Sequence, residues 1–175
     1  MKAVDVLRGF ALAVALLMLA GCVLQASPPL FAEKQGEMVF KGQGTQFVSY
    51  SLNRDTKAWE KDDEPMVFNA VGKHYESPTK SGVTSLSFIA LQKGWWVVQG
   101  AEDGGPSGYM LAQRQGKAML LYPLMCTNLK KVQAIAPKVR FEGDDCFAGK
   151  DFGLATFRAM IKSLPPAALK IEPAA

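Results

Sequence analysis

The residue types able to do chemistry are few and scattered. His74, in "GKHYES", is the one histidine of the chain. A Ser-His-Asp triad would depend on it as the base, yet nothing marks a nucleophile. "GGPSG" puts Ser107 directly before Gly108, so the GxSxG elbow is absent. Asp62, Asp63 and Glu64 are consecutive, unlike the separated, environment-tuned carboxylates of acid–base catalysis. Asp144-Asp145 beside Cys146 lacks the regular ligand spacing of a calcium loop. With no CxxC and a single histidine, a zinc ligand set is short of members. There is no P-loop and no GxGxxG. The expectation is therefore no catalysis, no cofactor and no metal, with the acidic runs as solvated loops.

The cysteines say more. There are three: Cys22, Cys126 and Cys146. Cys22 ends an apolar run. Before that run, "MKAVDVLR" carries Lys2 and Arg8 against Asp5, and no charge follows from Gly9 to Gln25. This is the layout of a secretory signal. A membrane span needs about 20 apolar residues; here Gln25, Ser27, Pro28 and Pro29 cut the run short. Leu19-Ala20-Gly21-Cys22 resembles the lipobox of bacterial lipoproteins at all four positions. The resemblance implies a signal peptide over residues 1–21, cleaved before Cys22, and a cysteine carrying a diacylglyceryl group and usually an acylated amino terminus. Two or three chains anchor stably where one does not. Val23 stands where an Asp would favour retention in the inner membrane, so the resemblance implies the outer membrane, facing the periplasm. The plainer alternatives are an ordinary cleaved signal and an uncleaved anchor. Residues 22–36 then read as a lipidated end and tether, stiffened by Pro28-Pro29.

Export bears on the other two cysteines. An oxidising compartment lets disulfides persist, so Cys126 and Cys146 are expected to pair, contributing about 3 kcal/mol through loop closure. The chain has a formal charge of +4, and losing Lys2, Arg8 and Asp5 with the signal makes it +3. Lys130-Lys131 is the one adjacent basic pair of the mature chain. Nothing resembles a stripe that tracks phosphate, and nucleic acid is not expected as a partner.

What must position these residues is a β-rich domain over residues 37–172. "QFVSYSL" alternates, with Phe47, Ser49 and Ser51 on one face and Val48, Tyr50 and Leu52 on the other. "PMVFNAVG" is a short β-leaning run. "VTSLSFIALQ", "WWVVQGA", "YMLAQR" and "KAMLLYPL" are joined by "QKG", the loop "EDGGPSG" and a turn at Gly116. About Val83 to Leu124 thus reads as an antiparallel meander. Asp151 is placed to cap a helix over about 151–164, with Leu154, Phe157, Ile161 and Leu164 on one stripe and Pro165-Pro166 ending it. The fold class is mainly β: a meander forming a sandwich or partly closed barrel, with one C-terminal helix packed on the sheet.

"WWVVQ" is apolar on both faces, Trp95 and Val97 on one, Trp96 and Val98 on the other. Its plain reading is a strand buried on both sides. The sharper one makes Trp95 or Trp96, at a sheet edge near "EDGGPSG", part of a patch for an envelope protein partner. Three functions fit these residues: a lipid-anchored interaction or assembly module, a small-molecule or lipid carrier, and a hydrolase with an unrecognised site. For the carrier, size, signal, meander and helix resemble bacterial lipocalins in architecture. The G-x-W near their first strand is missing; Trp59 sits in "KAWEK" instead. A large apolar cavity would favour the carrier, a solid core with an apolar patch the interaction module.

Overall fold

The computed structural model describes residues 23–41, 46–63, 65–78 and 83–174. Its strands are β1 (Leu24–Ala26), β2 (Gln46–Leu52), β3 (Trp59–Lys61), β4 (Met66–Val67), β5 (Asn69–Val71), β6 (His74–Glu76), β7 (Ser85–Gln92), β8 (Trp95–Ala101), β9 (Ser107–Gln115), β10 (Ala118–Pro123), β11 (Val139–Glu142), β12 (Asp145–Ala148) and β13 (Leu169–Pro173). Among the described residues two α-helices interrupt them, the single turn α1 (Cys126–Leu129) and α2 (Leu154–Met160), which a 3-10 turn extends through Ser163.

The chain is mostly β, built on an antiparallel sheet curled into a half-barrel. Strand order is β3-β2-β13-β10-β9-β8-β7-β6-β5. Its centre, β7 to β10, is the meander expected from the alternation and turn residues. Two-residue turns join its hairpins at Lys93-Gly94 and Gly116-Lys117; Gly94 (φ 76°) and Gly116 (φ 62°) take conformations that side chains resist.

The curl brings distant strands together. Five strands separate β2 from β6 in the sheet, yet the rings of Phe47 and Tyr75 are 6.1 Å apart. A flat sheet would hold them nearly 30 Å apart, at about 4.8 Å per strand. Residues 66–71 tie the two ends: Met66 and Val67 pair with β2, and Asn69–Val71 pair with β6. Of the two architectures the alternation left open, the half-barrel is the one adopted.

The sheet separates two cores. Inside the curl, Phe40, Phe47, Phe68, Tyr75 and Phe88 pack with Met110, Met119 and Ile171. Outside it, Leu24, Phe31, Val97, Leu111, Ile135, Phe152 and Phe157 form the second core. The C-terminal helix packs here as expected: Phe157 is fully buried and Arg158 Nε donates to Leu91 O at 2.9 Å. Burial of this kind, at about 25 cal/mol per Å² of apolar surface, is the main stabilising term.

Four expectations are corrected. Residues 23–36 are not a tether. Val23 and Leu24 are wholly buried, β1 is hydrogen-bonded into the sheet, and Phe31 lies in the outer core; apolar Val23, Leu24 and Phe31 gain more from burial than the run gains from remaining a solvated linker. Residues 23–36 therefore belong to the folded domain, which is not confined to residue 37 onward. Asp151 does not cap the helix: Gly153 is its N-cap, with no side-chain capping bond, and Asp151 sits in the preceding turn. The stretch between the two cysteines, expected to be a loop, runs through α1 and a 3-10 turn (Ala136–Lys138) into the β11–β12 hairpin. The last residues are β13, a central strand between β10 and β2, so the domain runs past residue 172.

Candidate functional site

Several contacts converge on the first described residues. Val23 forms an antiparallel bridge with Met125, and Leu24 N–H donates to Leu124 O at 2.8 Å. β1 then runs between two strands. It is parallel to β12, with Leu24 beside Cys146, and antiparallel to β9, with Gln25 opposite Gly108. Cys126 opens α1 directly after Met125, and it is bonded to Cys146 (S–S 2.01 Å, Cα–Cα 5.5 Å). The expected disulfide is present, and it joins α1 to β12, the strand paired with β1.

A buried polar network continues the grip. Leu30 N–H donates to Tyr109 Oη at 2.8 Å, and Tyr109 Oη donates to Gln99 Oε1 at 2.9 Å. Gln99 closes a two-way contact with Phe31, accepting from its N–H at 3.2 Å and donating Nε2 to its carbonyl at 3.0 Å. Burial pushes the Tyr109 hydroxyl up to about 12, although the Leu30 N–H pulls the other way. Sequence reasoning did not find this network. Its signal was Gln99, the polar residue that follows the doubly apolar run Trp95–Val98, since a buried amide needs partners.

The two tryptophans are both half-buried and on opposite faces. Trp95 packs on the outer core, its ring 5.3 Å from that of Tyr122, whose hydroxyl donates to Gln113 Oε1 at 3.0 Å. Trp96 packs on the inner core, donates Nε1 to Glu37 and stacks with the Arg114 guanidinium at 5.6 Å. Arg114 also lies over Phe40, at 5.7 Å, and donates to Val39 O. Neither tryptophan is where the patch reading put it. β8 is an interior strand, and both residues sit at its start, while "EDGGPSG" follows its end. Strand alternation also prevents them from sharing one surface.

The remaining candidates do not converge. His74 is buried on β6, with Nε2 2.9 Å from the exposed Glu76 Oε1. Ser107 is buried at the start of β9, opposite Ala26. Asp62 accepts from Ser51 Oγ at 3.2 Å. Asp144 lies in the β11–β12 turn and Asp145 opens β12. Among the described residues, no three His, Cys, Asp or Glu are grouped to hold a metal. Cys22 and the signal segment lie outside the described residues, as does Glu64.

Inside the curl, the space lined by Phe40, Phe47, Met66, Phe68, Tyr75, Leu86, Phe88 and Ile171 is a cavity of about 10 Å³. That is room for about one water. On the outside, Val71 is the large apolar residue that stands exposed among the described residues. No family model matches the chain, and neither the curated proteins nor the solved structures include a match to it.

Proposed function

We propose that this chain is a lipid-anchored protein of the cell envelope, acting as an interaction or assembly module rather than a catalyst. One observation carries the reading. The lipobox-like Leu19-Ala20-Gly21-Cys22 runs directly into a strand paired on both sides, with β12, which carries the disulfide-bonded Cys146, and with β9. A strand gripped in this way resists being pulled, as an anchored chain requires. Anchoring by two or more acyl chains holds the domain on its membrane, and the absence of Asp after Cys22 points to the outer membrane. Among the described residues, the space inside the curl is small and lined by packed aromatic rings, which supports an interaction module over a carrier. The partner surface would be the part of the outer face that the second core leaves half-exposed, where Trp95 packs against Tyr122; a rigid aromatic pair anchors an interface at low entropic cost.

Labelled fatty acid tests the anchor. It should enter the wild type, and Cys22→Ser should lose both the label and membrane retention. A serine variant that stays in the membrane through a high-salt wash defeats the reading.

A further inference from the structure

The buried start of the fold sets how the domain meets the lipid. We propose that the domain is seated directly on the phospholipid surface, with the α1 end of the half-barrel against the headgroups and the Lys93-Gly94 and Gly116-Lys117 turns pointing away. The inference rests on the lipid-anchor reading and fixes the surface that this anchor presents.

Covalent reach decides the geometry. Consecutive Cα atoms are about 3.8 Å apart. A diacylglyceryl group on Cys22 is therefore attached one residue from Val23, which is wholly buried and bridged to Met125. The headgroup layer is about 5–8 Å thick on each side of a bilayer. A lipid whose chains enter the hydrocarbon thus draws the surface around Val23 into that layer. Had residues 22–36 been a free tether, their extended length of about 50 Å would have let the domain tumble well clear. The structure leaves no such slack.

The seated surface is α1 together with Lys130 and Lys131 at its end. Lys130, exposed, comes one turn after Cys126, its N–H bonded to Cys126 O, and Lys131 is exposed beside it. Lys130 Nζ reaches Gly143 O at 3.2 Å, which places the β11–β12 turn alongside. Glu142, Asp144 and Asp145 on that hairpin offset Lys130, Lys131 and Arg140, so the covalent reach, and not charge, does the seating. At the far end of β10, Lys117 lies about 27 Å along the strand from Met125, at about 3.4 Å per residue. Lys93 lies in the neighbouring turn at that same end.

These lysines are natural reporters. The acylated protein, its lipid verified by intact mass, is placed in phosphatidylcholine vesicles and treated with an amine-acylating reagent. Cys22→Ser in solution is the reference. Lys130 and Lys131 should be modified several-fold more slowly in the anchored protein, with Lys93 and Lys117 unchanged. A Gly-Ser linker of about twelve residues between Cys22 and Val23 should restore their reactivity. Equal reactivity at all four sites in the anchored protein, or protection that the linker does not relieve, overturns the proposal. If the intact mass shows no acyl chain, the anchor reading fails by itself. The seating is then tested by the same protection pattern after coupling the Cys22 thiol to a maleimide phospholipid, Cys126 and Cys146 being bonded to each other.

Discussion

Leu24 lies in parallel register beside Cys146, the residue whose sulfur is bonded to Cys126. The strand that enters the fold and the bond that closes its neighbours are thus one unit. The disulfide fastens α1 to β12, with β1 paired to β12.

Replacing both cysteines, Cys126→Ala with Cys146→Ala, should therefore cost about 2–4 kcal/mol in urea unfolding. Amide exchange should speed up most at Leu24 and Gln25, because local opening follows lost restraint. Uniform acceleration across the whole sheet would contradict a local role.

Gly36 marks a second close approach. A Cβ built there would stand 2.4 Å from Lys73 O. Its own backbone is extended, so the obstacle is contact and not conformation. Gly36→Ala should cost about 1–3 kcal/mol by overpacking, read as a lower denaturation midpoint with an unchanged m-value. A midpoint equal to the wild type would mean that the β5–β6 turn yields freely.

Tyr109 predicts an alkaline limit. Its hydroxyl titrates near 10 in the unfolded chain and at about 12 in the fold. Between those values the unfolded state loses its proton while the folded state keeps it, so stability falls as pH rises from 10 to 12. The loss is on the order of 3 kcal/mol at about 1.4 kcal/mol per pKa unit. Below pH 10 this contribution is fully present. Tyr75, also raised by burial, adds to the slope. Tyr109→Phe should flatten the decline in that window. It should also lower stability at pH 7 by about 1–3 kcal/mol, since Leu30 N–H and Gln99 lose a buried partner.

The tryptophans should behave differently. Trp96→Ala removes the bond to Glu37 and the stacking on Arg114, so it should cost about 1–3 kcal/mol and expose the segment around Glu37–Phe40 to protease. Trp95→Ala removes a half-buried ring from the outer face and should leave that segment protected, while weakening partner crosslinking in intact cells. Equal loss of stability and equal protease exposure in both variants would remove the case for Trp95 as a contact residue.

The central meander was legible in the residues. Alternation from Ser85 to Pro123 and glycines at 94 and 116 are local signals, and hairpin pairing is local too. The two faces of "WWVVQ" followed from the same period of two: Val97 went to the outer core and Val98 to the inner one. The helix stripe through Phe157 was readable for that reason as well. The cysteine pairing came from compartment and count, with no geometry needed.

Tertiary structure alone decided the rest, because each missing piece depends on a partner far along the chain. Three-residue β1 is too short to show a period. It is a strand only because β9 and β12, more than eighty residues away, leave a track beside them. β13 reads as a tail between prolines until β10 and β2 supply ladder partners on both sides. Gln99 and Tyr109 become a clamp only when Leu30 and Phe31 arrive. Chain entropy explains the asymmetry. Local pairings cost little to close and so leave a signature in short runs of residues, whereas long-range ones are specified by surfaces that exist only after the sheet has curled.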